Sequence, residues 1–316
     1  MKHITLSNGD RMPMLGLGTW KADEETVYKA TTEAVRAGYR HIDCAAIYGN
    51  EAGIGRALAD LFREGVVARE DLWITSKLWN NAHKEEDVRP ALQRTLKDLR
   101  LEWLDLYLIH WPVVFRPDVT FPESDDGYLS LDEVPIIETW RALETCVEEG
   151  LTRNIGVSNF SARKLENLLD QCRVRPAVNQ VEMHPVLQQS ALKTFCDKHA
   201  IAVTAYSPLG STDRPDAMRA DDEPDLMALE PIREIASAHD ATPAQILLAW
   251  AVNRGTATIP KSANPGRLRE NLGAADIELT EEEMERIGTL DQHRRLITGK
   301  IWKGPYNLQN LWDEGA

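Results

Sequence analysis

Eight short apolar runs, each followed by a polar turn and an amphipathic stretch, recur along this 316-residue chain and constrain its fold more than any other feature. The runs occupy residues 15–20, 40–45, 72–78, 104–111, 153–159, 177–183, 202–209 and 256–262. They are rich in Val, Ile, Leu, Thr and Tyr and are bounded by polar residues, Gly and Pro, the composition of strands. Helical periodicity fills residues 24–38, 51–64, 85–100, 137–150, 162–172, 188–199 and 229–239 between them. A helix between successive strands demands a crossover, and crossovers place strands parallel. Ahead of the first unit, Asn8-Gly9 marks a hairpin turn. Eight units without a composition break, linker or low-complexity stretch predict an α/β fold, a closed (β/α)8 TIM barrel over residues 1–316 as a single domain, rather than an open doubly wound sheet.

In such a barrel the chemistry lies where strands end and the following loops begin. Four stretches exceed ordinary connection length: residues 112–135, 210–226, an extra helical pattern at 281–290, and a tail at 293–316. Long loops on the C-terminal face, and extra helices, usually serve a site. Composition narrows the partners. With 36 Lys and Arg against 50 Asp and Glu, the net charge of -14 repels phosphate backbones and anionic membrane surfaces, so neither nucleic acid nor membrane is expected. The start has no signal-like apolar core, and nowhere do eighteen apolar residues run together. Cys44, Cys146, Cys172 and Cys196 are widely separated, with no Cys-x-x-Cys pair, which suggests neither disulfides nor a structural metal. A soluble, cytoplasmic protein is expected.

At the strand ends stand Asp43 and Tyr48 after the second run, Lys77 closing the third and His110 closing the fourth. Each alone has an ordinary structural reading: a buried Tyr is usually core and a lone His usually a satisfied hydrogen-bonder. Together they form a set. A lysine between the tyrosine and the aspartate favours tyrosinate and draws the phenol down from its usual pKa of about 10. Asp43 keeps that lysine charged. The phenol then gives its proton to a carbonyl oxygen, and His110 orients and polarises the same oxygen.

At this point the chain resembles the aldo-keto reductase family, through Asp43-Cys-Ala-Ala-Ile-Tyr48-Gly-Asn-Glu51, Thr75-Ser-Lys77-Leu-Trp79, Leu108-Ile-His110-Trp111-Pro112, Gly156-Val-Ser158-Asn159-Phe160 and Ile259-Pro-Lys261-Ser262. The likeness runs from about Leu6 to Trp312. It implies a catalytic tetrad of Asp43, Tyr48, Lys77 and His110, and binding of cofactor before carbonyl.

Two glycine motifs are not cofactor sites. Gly16-Leu-Gly18 lacks the third glycine of a dinucleotide fingerprint, and residues 49–55 lack the Lys-Ser or Lys-Thr of a phosphate loop. The last strand instead leads through Lys261 and Ser262 into Asn264-Pro265, an N-cap and first helical residue, followed by Arg267. A helix start flanked by Lys and Arg reads as a phosphate site, or as ordinary capping with a solvated Arg. The resemblance places Lys261, Ser262 and Arg267 on an adenosine 2′-phosphate and Glu270 and Asn271 on adenine, favouring NADPH/NADP+ over the unphosphorylated form. Nicotinamide needs an aromatic face, which Tyr206 would supply at the end of the seventh run. Ser158, Asn159 and Gln180 resemble the family's carboxamide clamp, and Ser207, Leu209 and Ser211 lie where its pyrophosphate contacts occur. The resemblance adds Thr19, Trp20, Asp43 and Ile259 to the cofactor contacts. Residues 210–226 are expected to close over the cofactor as a lid.

Trp20, Trp79 and Trp111 sit at or just beyond strand ends near Tyr48 and His110, suggesting an apolar, stacking substrate pocket. Phe115, Trp302 and Tyr306 are expected on its outer wall. The acidic run 123–126 reads as a solvated loop face.

Rival chemistries fail on spacing. A short-chain dehydrogenase needs Tyr and Lys four apart on a helix, and none of the seven tyrosines has this. Ser158 lacks the second glycine of a nucleophile elbow. A metal-dependent hydrolase needs clustered ligands, whereas only His110 and Asp43 are placed at the mouth. The expectation is a monomeric NADPH-dependent oxidoreductase converting aldehydes or ketones to alcohols. The alternative is an NADPH-binding barrel with a sensory or structural role and little turnover.

Overall fold

A computed structural model describes residues 1–211, 214 and 222–313. Strands β1 (His3–Thr5) and β2 (Arg11–Pro13) form the antiparallel hairpin expected at Asn8-Gly9, with Gly9 at φ 92°. Then β3 (Leu17–Gly18), β4 (His41–Asp43), β5 (Trp73–Leu78) and β6 (Leu104–Ile109) begin the parallel sheet. A two-stranded insertion, β7 (Val114–Phe115) with β8 (Tyr128–Leu129), occupies the first long connection, where the sequence showed no strand signal. The sheet continues with β9 (Thr152–Ser158), β10 (Val178–Glu182), β11 (Ala202–Tyr206) and β12 (Ala257–Thr258).

The eight strands lie in the order β3-β4-β5-β6-β9-β10-β11-β12, so each barrel strand pairs with the next in sequence. The seam between first and last is closed by a parallel bridge between Leu15 and Thr258, with Thr258 N–H donating to the Met14 carbonyl at 2.7 Å and Gly18 N–H to the Pro260 carbonyl at 3.0 Å. This explains Gly16 and Gly18. A Cβ on Gly16 would stand 2.8 Å from the His41 ring, and one on Gly18 would stand 2.7 Å from the Ile259 carbonyl oxygen.

Helices α1 (Glu24–Ala37), α2 (Glu51–Arg63), α3 (Glu85–Leu99), α4 (Ile136–Glu148), α5 (Ala162–Leu169), α6 (Ser190–Lys198) and α7 (Glu230–Ala238) follow the amphipathic patterns to within two or three residues. Helix α8 (Pro243–Asn253) is different. Residues Ile246 to Val252 are all buried, so it shows no polar face and its sequence carries no amphipathic period. Helices α9 (Pro265–Gly273), α10 (Glu281–Gly288) and α11 (Leu308–Trp312) complete the chain.

The core divides by position. The largest cluster lies between the barrel and its helices, around residues such as Ile42, Ile74, Ile109, Val157 and Trp140. Leu6 and Met12 of the hairpin pack with Trp73, Leu106, Ala177 and Ala257 at the strand starts, closing the barrel's lower end. An aromatic cluster of Trp79, Trp111, Phe115, Tyr128, Trp302, Tyr306 and Trp312 builds up at the opposite end. Of the expected lid at 210–226, residues 212, 213 and 215–221 lie outside the described residues.

Candidate active site

Strand alternation fixes the site's floor. Trp73, Thr75 and Lys77 share one face of β5, and Lys77 is 1 % exposed among the inward-facing groups. Its ammonium donates to Asp43 Oδ1 and, at 2.8 Å, to the Cys44 carbonyl. The second Asp43 oxygen accepts from Gln180 Nε2 at 2.7 Å. Burial works against the Lys77 charge, but the Asp43 carboxylate and the Tyr48 phenol outweigh it and lift Lys77 above its ordinary value. Tyr48 sits on a single 3-10 turn, Ala46–Tyr48, ended by Gly49 at φ 67°, with the Lys77 ammonium 5.3 Å from the centre of its ring.

Here the structure corrects the sequence reading. Burial pushes the Tyr48 phenol above its usual value of 10, and Lys77, the largest opposing influence, does not reverse it. Tyr48 is therefore held as the neutral phenol, with the cation on Lys77. His110 lies edge-on to Tyr48, ring centroids 5.9 Å apart, and to Trp79 at 5.3 Å. Burial, then the Lys77 charge, push its imidazole well below the ordinary histidine range, so it too is neutral. Its Nδ1 is buried without a partner, which leaves Nε2 as the nitrogen that can serve the cavity.

That cavity, about 1070 Å³, is lined at one end by Asp43, Tyr48, Trp79 and His110. It continues along Ser158, Asn159, Gln180 and Tyr206, past Ser207, Leu209 and Ser211, to Ile259, Lys261, Ser262, Arg267, Glu270 and Asn271. Thr19, Trp20, Trp111 and Trp302 also line it. The middle is tightly organised: Ser158 Oγ donates to the Gln180 carbonyl at 2.8 Å, Asn159 Nδ2 donates to the His110 carbonyl at 2.9 Å, and the Tyr206 hydroxyl donates to Asn159 Oδ1 at 2.7 Å. Asn159, Ser207 and Ser211 all have positive φ, a cost that clusters at functional sites. At the far end Asn264 caps α9, its Oδ1 accepting from Gly266 N–H at 2.9 Å and Arg267 N–H at 3.1 Å. These backbone donors are thus already used, so a phosphate here would rest on the Lys261, Ser262 and Arg267 side chains rather than on the helix start expected from sequence.

Two residues expected on the pocket wall stand behind it. Phe115 and Tyr306 do not reach the cavity: Phe115 is 1 % exposed against Tyr128 and Trp302, and the Tyr306 hydroxyl is bonded to the Val114 N–H at 2.8 Å and the Leu129 carbonyl at 2.7 Å. Their place is taken by Phe121, 57 % exposed and 5.3 Å from Trp79, which the sequence reading passed over. Also unforeseen were Thr242, Pro243 and Ala244 at the start of α8, and Leu296 and Ile297 of the tail. An aromatic inside a long mouth loop, and an N-cap threonine followed by proline, were the available signals.

The chain matches the Aldo/keto reductase family over residues 14–292 and belongs to that family. It is 57 % identical over 317 residues to an aldo/keto reductase of Synechocystis sp., covering 99 % of this chain and 97 % of that protein. It is 49 % identical over 296 residues to aldo-keto reductase family 1 member A1 of Bos taurus, covering 93 % and 90 %. Among solved structures, an aldose reductase from Schistosoma japonicum superposes with a TM-score of 0.86 at 40 % identity, covering 95 % of this chain and 97 % of that one. The family consists of oxidoreductases acting on carbonyl groups.

Proposed function

We propose that this chain is a single-domain, NADPH-dependent reductase of aldehydes or ketones, with Tyr48 as the proton donor. The observation that carries this is the Tyr48 phenol and the His110 imidazole on one cavity wall, ring centroids 5.9 Å apart, with the buried Lys77–Asp43 pair behind the phenol. The cavity fits the cofactor. Its midsection carries hydroxyl and amide groups beside an aromatic ring whose hydroxyl is tethered, and its far end carries Lys261, Ser262 and Arg267. Asn159, Ser158 and Gln180 would hold the carboxamide, Tyr206 would stack, Ser207, Leu209 and Ser211 would meet the pyrophosphate, and Glu270 and Asn271 the adenine. Thr19, Trp20, Asp43 and Ile259 complete the contacts.

When bound, NADPH supplies a hydride to the carbonyl carbon. Tyr48 gives its proton to the carbonyl oxygen, so the substrate gains two hydrogens and leaves as the alcohol. The tyrosinate faces the Lys77 ammonium, which Asp43 holds in place, and regains its proton from solvent. Neutral His110 donates one hydrogen bond from Nε2 to the same oxygen and orients it. Trp20, Trp79, Trp111 and Trp302 form the apolar wall against which the rest of the substrate lies. We place the protein in the cytoplasm as a monomer; its acidic charge disfavours nucleic acid and anionic membrane surfaces as partners, and among the described residues no helix is long and apolar enough to cross a membrane.

The test is loss of NADPH absorbance with a panel of aldehydes for wild type and Tyr48→Phe, alongside NADPH binding by fluorescence. Turnover by wild type, with about 10²–10⁴ lost in the variant at unchanged affinity, supports the acid role. Equal rates remove Tyr48 from it. Tight binding without turnover by either protein favours a sensory or structural barrel instead.

A further inference from the structure

Glu182 ends β10 two positions beyond Gln180, so alternation sets both side chains on one face of the strand. Gln180 reaches Asp43, whereas Glu182 serves the tail. Its carboxylate accepts the Leu296 N–H at 2.7 Å on Oε1 and the Ile297 N–H at 2.9 Å on Oε2. His184 Nε2 lies 2.9 Å from Oε1 and, facing a carboxylate, carries its proton there. The side chain is wholly buried. A carboxylate taken out of water needs such donors to be tolerated, and three N–H groups converge on this one.

Two successive backbone amides aimed at one carboxylate fix both the position and the heading of the chain at the start of the tail. Leu296 and Ile297 line the catalytic cavity, and Trp302, five residues on, stands 5.2 Å from Trp111 and 6.1 Å from Trp79. The tail's far end is held separately, by Lys164 Nζ donating to Asp313 at 2.6 Å and to the Asn310 carbonyl at 2.6 Å.

We propose that Glu182 is a positioning residue for substrate selection. By holding the Leu296 and Ile297 amides it packs Trp302 against Trp111 and Trp79, and the continuous aromatic wall they present to the cavity favours flat aromatic carbonyl compounds over small aliphatic ones. The proposal rests on the carbonyl-reductase reading. Glu182→Gln keeps the volume and removes one acceptor, so the anchor loosens while Gln180, Asp43 and Tyr48 are untouched.

The experiment compares kcat and KM for 4-nitrobenzaldehyde and propanal in wild type and Glu182→Gln, with NADPH affinity by fluorescence and hydrogen exchange at residues 296–302. The expected result is KM for the aromatic aldehyde raised about tenfold, the loss of one charge-assisted bond, with propanal KM, both kcat values and NADPH affinity within about twofold, and faster exchange at Leu296 and Ile297. Equal shifts for both aldehydes, or unchanged selectivity in an active enzyme, overturn it. Should Glu182→Gln fold poorly, Trp302→Ala tests the same wall, and an aromatic preference surviving that change overturns the proposal. A wild type that binds NADPH yet reduces neither aldehyde overturns the reductase reading, and selection with it.

Discussion

The barrel's two ends each bury a cation against an aspartate, and the two pairs behave oppositely. At the lower end, Asp105 accepts from Arg69 at 2.9 Å and from the Ile74 N–H at 2.8 Å, while Arg69 and Arg153 sandwich Trp103 at 3.5 and 3.7 Å from its ring centre. Burial nevertheless dominates both partners there, raising Asp105 and lowering Arg69 despite their attraction. At the mouth, the Asp43 carboxylate leads the influences that overcome burial and lift Lys77 above its ordinary value. The lower pair ends on backbone and packing, whereas the upper one runs on from Asp43 through Lys77 to Tyr48 and stops at a cavity. A buried ion pair is thus weak evidence of function by itself, and its unfinished end is the stronger sign.

This contrast breaks first at Lys77. Lys77→Met should lower kcat/KM by about 10²–10⁴ while NADPH affinity holds, measured by steady-state kinetics and fluorescence titration; a variant retaining full activity would place the acid's support elsewhere. Asp105→Ala should do the reverse, costing about 3–5 kcal/mol in denaturant unfolding with kcat unchanged, since it strands Arg69 in the interior. A loss of kcat at full stability would erase the distinction between the ends.

Glu51 sharpens the comparison, being a buried carboxyl with hydroxyl partners, Ser76 at 2.5 Å and Thr95 at 3.0 Å. Burial pushes it up to about 7, against an ordinary 4.5. The folded chain then binds more protons than the unfolded one between those values. Stability is fully present below about 4.5 and is lost as pH rises through about 7, by about 3 kcal/mol in total. Unfolding curves across that range should show this slope in wild type and not in Glu51→Gln; identical slopes would refute the assignment. Smallest is the cofactor's far end. Lys261→Ala or Arg267→Ala should each weaken NADPH by about tenfold and leave NADH affinity alone, and equal losses for both would argue against a 2′-phosphate contact.

The eight strands, and the gathering of Asp43, Tyr48, Lys77 and His110 at one end of them, were legible because strand ends announce themselves: a β-branched run halts at Lys77 or His110, and periodicity does the rest. What escaped depends on contacts far apart in sequence. Gly16 and Gly18 are explained only by the seam, where they approach His41 and Ile259. Helix α8 is apolar all round, so its period carried no amphipathic signal. Phe115 and Phe121 are equivalent candidates in one loop until the β7–β8 pairing turns the first inward against Tyr128 and leaves the second exposed at the cavity. Glu182 shared a face with Gln180 by simple alternation, yet nothing local named its two tail partners, which lie more than a hundred residues on.

The seam has a temporal meaning. Leu15 can find Thr258 only after some 240 further residues have left the ribosome, on the order of tens of seconds at about 5–20 residues per second. Until then the barrel cannot close, and any sheet already formed has two unpaired edges. The edge made first is two residues long and contains glycine, a poor template for a stray strand during that wait.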